Sequence, residues 1–191
     1  MWDMDEEHRA LFDDEQVNFI DKVTYPFECI INILYELPSF QYTCFAVDVF
    51  MLKDKKPEDV MKDIIFNYYK LFCEKESLSV EKEFLDNKLF GNHMQTDSLK
   101  SAIKYALGID ETKINEMPID LKRKFRKTLK ESINNLNTIF CKQFPRLYTI
   151  PKECKAFYSS IVSDVYLGII FSGSYLVYDK YCILIIHGTS E

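Results

Sequence analysis

Apolar residues recur along this chain in two rhythms. Over most of its length they fall three and four apart, the spacing of helices with one buried face. Asp13 or Asp14 suits the cap of a short first helix reaching Val23, with Val17 and Ile20 on one face. Pro26 suits a first helical position. Phe27, Ile30, Ile31, Leu34 and Leu37 then predict a helix over 27–37, ended by Pro38. Met61, Ile64, Ile65, Tyr68 and Phe72 predict another over 57–75, opened by Pro57, and a shorter one over 79–90 stops at Gly91 and Asn92. Leu99, Ile103 and Leu107 align over 97–107, with Gly108 placed as the left-handed residue that closes a helix. Residues 110–118 read as a connector with one turn at most. The longest helix is predicted over 120–144, from Leu121, Phe125, Leu129, Ile133, Leu136 and Phe140, closed by Pro145. A loop over 147–151 and a last helix over 153–165 complete the helical part.

The second rhythm belongs to residues 165–187, VYLGIIFSGSYLVYDKYCILIIH, the most apolar run and one dense in β-branched and aromatic residues. It reads as two strands, 174–178 and 181–187, joined at Asp179 and Lys180, with Ser172, Gly173 and Ser174 as a break before them. Residues 39–52, SFQYTCFAVDVFML, carry strand-favouring side chains. Their length, and the placement of Gln41 and Asp48 seven apart on one helical face, also allow a helix, so strand stays open while a helical hairpin with the segment that follows is favoured. The fold class expected is α+β: one mainly helical domain over 1–191, with residues 1–12 a frayed acidic end and a small antiparallel sheet or hairpin at the C-terminus.

Composition bounds this picture. The chain has 191 residues, 47% hydrophobic and 28% charged, with 5 Gly and 6 Pro, which is globular usage with few linkers. The net charge of −6 disfavours general nucleic-acid binding, because phosphates repel an acidic body. Lys far outnumbers Arg and Ala is rare, a usage associated with AT-rich genomes such as those of low-GC bacteria. The six cysteines, 29, 44, 73, 141, 154 and 182, form no C-x-x-C pair, and most lie in apolar stripes. They read as reduced, buried thiols. With an acidic start where a signal peptide would be basic, they point to the cytoplasm. No apolar run reaches the roughly 20 residues of a membrane-spanning helix.

Two charge clusters and a few isolated groups are the candidate chemistry. Asp3, Asp5, Glu6, Glu7, Asp13, Asp14 and Glu15 make an acidic segment suited to steering a basic partner. Lys122, Arg123, Lys124, Arg126, Lys127 and Lys130 crowd three helical turns. Lys122, Arg126 and Lys130, four apart, share a face opposite the apolar stripe and could hold phosphates. The competing reading is a solvated outer face. His8, His93 and His187 belong to no motif. A Cys–His pair drawing on Cys141 or Cys182 with His187 is open in principle, although a regular strand would point Cys182 and His187 to opposite faces. Asp48 and Asp164 are carboxylates in apolar surroundings that could act as acid or base. Tail tyrosines such as Tyr175, Tyr178 and Tyr181 suit a half-exposed sheet face. No nucleotide, metal or nucleophile motif occurs, so no cofactor and no metal site is expected.

The end of the chain, SDVYLGIIFSGSYLVYDKYCILIIHGTSE, resembles the C-termini of small bacterial immunity proteins of contact-dependent inhibition and other polymorphic toxin systems. The resemblance covers this stretch and carries no site residues. It implies a small, acidic, non-enzymatic cytoplasmic protein that neutralises a protein partner, such as a basic toxin domain. The alternatives are a nucleic-acid or phosphate binder acting through residues 122–130, and an enzyme with a dispersed site.

Overall fold

In a computed structural model, residues 14–51, 70, 73–74, 77, 79, 93–149 and 169–190 are described. The framework is an antiparallel sheet of five strands: β1 (Thr43–Met51), β2 (His93–Met94), β3 (Arg146–Thr149), β4 (Ile169–Val177) and β5 (Tyr181–Ser190). Their order across the sheet is β1-β5-β4-β3-β2. The helices are α1 (Asp14–Leu34), α2 (Leu99–Ala106), α3 (Glu111–Glu116) and α4 (Ile119–Ile139).

The expected small C-terminal hairpin is therefore too small a sheet. The β4–β5 hairpin exists, closed by the Tyr178 amide donating to the Tyr181 carbonyl at 2.8 Å. It is the middle of a larger sheet whose other strands come from far upstream. Residues 43–51, expected as helix, pair with β5 along their whole length, setting Phe45 opposite His187, Val47 opposite Ile185 and Val49 opposite Ile183. Residues 146–149, expected largely as loop, pair with β4. Ser172, Gly173 and Ser174 lie inside β4 and do not break it.

The reason is visible in β5. Ile183 and Ile185 face the helices and join their core, yet Cys182, Leu184 and Ile186 on the opposite face are just as buried. A strand apolar on both faces is an interior strand and needs a hydrogen-bonding neighbour on each edge. A hairpin supplies one, and β1 supplies the other.

Pro26, expected to open a helix, lies inside α1, which runs unbroken from Asp14 to Leu34. Its missing N–H leaves the Lys22 carbonyl without the usual helical donor. Tertiary packing holds the helix together regardless: Val23, Phe27, Ile30 and Leu34 are fully buried, and the Ser132 hydroxyl of α4 donates to the Pro26 carbonyl at 2.8 Å. α1 packs on α4 and β1, while α2 packs on β4 and α4.

The long helix, expected to reach residue 144, stops at Ile139. Cys141 and Lys142 take left-handed φ values of 51° and 60°, and the Lys142 amide returns to the Asn137 carbonyl at 2.7 Å. This is a glycine-type helix ending made without glycine. It lets Phe140 stack on Tyr178, with ring centroids 4.0 Å apart, while Phe19 of α1 stacks on Tyr181 at 4.6 Å. The hairpin tip is thus clamped between two helices, and Tyr175 and Tyr178 are buried where a half-exposed face is expected. The helix predicted over 97–107 is present as α2, and the connector holds α3. The helices predicted over 57–75, 79–90 and 153–165 fall largely or wholly outside the described residues.

Candidate functional site

The charge-bearing cleft lies where α2, α3 and α4 meet. Ser98 caps α2, its hydroxyl accepting from the Ser101 amide at 3.1 Å. That fixes the start of a helix which buries Leu99, Ala102, Ile103 and Ala106. Lys100 and Lys104 then stand one turn apart on one side of it. Asp110 caps α3 by accepting from the Lys113 amide at 2.8 Å, which places Glu111 in the first turn. α4 buries Phe125, Leu129, Ser132 and Leu136.

Between these helices is a cavity of about 340 Å³. Its charged lining is Lys100, Lys104, Arg126, Lys130 and Glu111. Its apolar lining is Ile114, Phe125, Leu129 and Ile133, and Asn134 adds an amide. Arg126 and Lys130 thus border the same cavity as Phe125 and Leu129, flanking the buried stripe of α4 where the sequence suggests they stand opposite it.

The Lys104 ammonium donates to the Glu111 carboxylate. The lysine side chain is 14% exposed and the glutamate 72%, so the cation is the partner held in place. That bond, with Lys100 and Arg126 nearby, holds the Glu111 carboxyl below the usual carboxylate range. The other cations of α4 are engaged elsewhere: Arg123 with Asp120, Lys124 with Glu36, Lys127 with Glu131, and Lys122 with the Asn115 side chain. Among the described residues, Lys100, Arg126 and Lys130 have no carboxylate in salt-bridge contact.

Of the residues singled out from sequence, Arg126 and Lys130 therefore meet at one site, and Lys122 does not line it. Lys100, Lys104, Glu111 and Asn134 are the members that sequence reasoning missed. The i,i+4 spacing of Lys100 and Lys104 was a usable signal, but nothing local says that α2 abuts α4. Asp3, Asp5, Glu6, Glu7 and Asp13 lie outside the described residues. Asp14 and Glu15 are the first residues of α1 within the described part of the chain.

The remaining candidates do not converge. Asp48 is on β1 opposite Leu184, partly buried, and Asp164 and His8 are outside the described residues. His93 is exposed on β2, its ring against Tyr148 at 5.3 Å. The pairing of β5 is regular, so Cys182 and His187 point to opposite faces. Cys141 belongs to the turn after α4, whose Gln143 donates to Asp179 at the hairpin tip, whereas His187 lies well along β5 from that tip. Cys44 and Cys141 are exposed, against the expectation of burial, while Cys73 and Cys182 are buried; the five described cysteines are free.

His187 sits half-buried in a cluster with Phe45 and Lys113. Its ring lies 5.8 Å from Phe45, and burial, reinforced by the Lys113 ammonium, lowers its pKa to about 4. Lys113 itself donates to the Gly108 carbonyl at 2.8 Å and lies 4.8 Å over the Phe40 ring. This imidazole is neutral at ordinary pH and half-buried. Among the described residues no group of His, Cys, Asp and Glu could hold a metal ion, and no helix is long and apolar enough to cross a membrane.

Comparison with protein-family models, with curated proteins and with solved structures finds no match to this chain.

Proposed function

We propose that this chain is a cytoplasmic binding protein whose recognition element is the basic cleft between α2 and α4, and that its ligand presents a phosphate group. The observation that carries this reading is the gathering of Lys100, Arg126 and Lys130 around one cavity, with no carboxylate among the described residues bonded to any of them. The three side chains are exposed, so a dianion there is drawn by their summed charge, an attraction that weakens as salt is added. The planar fork of Arg126 adds bidentate recognition of phosphate oxygens. Free thiols at five described cysteines support the cytoplasmic assignment.

Calorimetric titration with inorganic pyrophosphate tests the reading. Binding should weaken at least about tenfold in Arg126→Ala and in Lys130→Ala, since each removes a charge-assisted contact. It should hold in Arg123→Ala and Lys127→Ala, whose cations are paired elsewhere. No binding, or equal loss in all four variants, overturns it.

A second reading, binding of a basic protein partner such as a toxin domain, is supported by the net charge of −6 and the acids Asp3, Asp5, Glu6, Glu7, Asp13, Asp14 and Glu15. Neutral amides at those positions should slow association with such a partner and flatten its salt dependence. Unchanged kinetics would end that reading.

A further inference from the structure

Resting on the phosphate reading, we infer that the cleft takes a single nucleoside monophosphate and not a polynucleotide strand. Three features of the lining lead there.

The first is the arrangement of unpaired cations. A strand backbone needs a track of positive charge along which successive phosphates lie. On α4 that track is interrupted, because Arg123, Lys124 and Lys127 are each already in contact with a carboxylate. Among the described residues, Arg126 and Lys130 of α4 and Lys100 of α2 have no carboxylate in contact and border a single cavity, which suits one phosphate group.

The second is the rest of the lining. A site for inorganic phosphate would be polar throughout. Here the partly exposed Ile133, backed by the buried Ile114, Phe125 and Leu129, supplies an apolar surface on which a flat, weakly hydrated body can lie. A volume of about 340 Å³ sits within the range of small-molecule sites, roughly 300–1,000 Å³.

The third is Asn134, exposed at the border of the cavity one helical turn beyond Lys130. Its amide presents a donor and an acceptor side by side, the pattern that pairs with the edge of a nucleobase and with adenine above all. Phosphate at Lys100, Arg126 and Lys130, base on Ile133 and base edge at Asn134 use the polar and apolar halves of the cleft together.

The test is calorimetry on the full chain with adenosine monophosphate, inorganic phosphate and a twelve-residue single-stranded DNA as separate probes. Adenosine monophosphate should bind at least about fivefold more tightly than inorganic phosphate. Asn134→Ala and Ile133→Ser should each remove most of that advantage, and a cooperative urea-unfolding transition shows that both variants are folded. If adenosine monophosphate binds no better than phosphate, or if the DNA binds more tightly than either with a steep salt dependence, the inference fails and the phosphate reading survives. If no probe binds, both fail together.

Discussion

The ring of His187 occupies the space that a side chain at position 108 would need: a Cβ built on Gly108 would lie 2.6 Å from His187 Cε1. Gly108 also holds φ at +64°, in the left-handed region that ends α2. Gly108→Ala therefore meets two penalties, a strained backbone and a steric clash, and should cost roughly 2–4 kcal/mol of stability. In a His187→Ala background the clash is gone, so the same substitution should cost only about 1 kcal/mol. Urea unfolding of the four variants measures the difference. Additive costs would show that the two residues do not press on one another.

The same histidine makes stability depend on pH. Its folded pKa is lowered to about 4, from an ordinary value of 6.5. Between those values the unfolded chain takes up a proton that the fold excludes, so stability falls as pH drops from 6.5 towards 4. Below pH 4 this contribution no longer changes. The full effect is up to about 3 kcal/mol. Denaturation midpoints at pH 7.5, 6 and 4.5 should fall more steeply for the natural chain than for His187→Gln. Parallel slopes would remove His187 as the cause.

Much of this part of the fold is legible in the chain and some is not. The cap of α2, its apolar face and the role of Gly108 follow from local chemistry, and so does the β4–β5 hairpin. What is not local is lost. Residues 39–52 carry the side chains of a strand, but Gln41 and Asp48 also fit a helix, and only the unfilled edge of β5 decides between them. Pro26 reads as a helix start because the burial that carries α1 past it involves Ser132, over a hundred positions away. Half of the cleft was visible in Arg126 and Lys130; the other half waits on the packing of α2 against α4.

Glu111 competes with any anion for the cleft, since its carboxylate already binds Lys104 and feels Lys100 and Arg126. Glu111→Gln removes a like charge from the site and should raise pyrophosphate affinity by about two- to tenfold. Weaker binding in the variant would mean that Glu111 organises the cations for the ligand instead of opposing it.

The hydrogen bond from the Ser132 hydroxyl to the Pro26 carbonyl ties α4 to α1 in a buried setting. Ser132→Ala should cost about 1 kcal/mol in urea unfolding. Ser132→Val, which adds bulk where the helices meet, should cost more. A neutral Ser132→Ala would show that packing alone holds the two helices.

Thiol exposure is uneven enough to read chemically. Cys44 and Cys141 are exposed, whereas Cys73 and Cys182 are buried. Brief iodoacetamide treatment of the folded protein followed by peptide mapping should modify the first two and spare the second two. Early labelling of Cys182 would mean that β5 is less enclosed than its packing indicates.

β1 finds its only partner among the described strands in β5, and the two lie about three quarters of the chain apart: Phe45 faces His187. During translation the segment that becomes β1 leaves the ribosome early, with its apolar side chains and its open backbone edge, and waits for residues 181–190 to be made. Pairing so distant in sequence closes late and slowly. In that interval the nascent chain carries a strand whose backbone edge lacks its β5 partner, and its yield in a cell should depend on holdase chaperones more than its final stability would suggest.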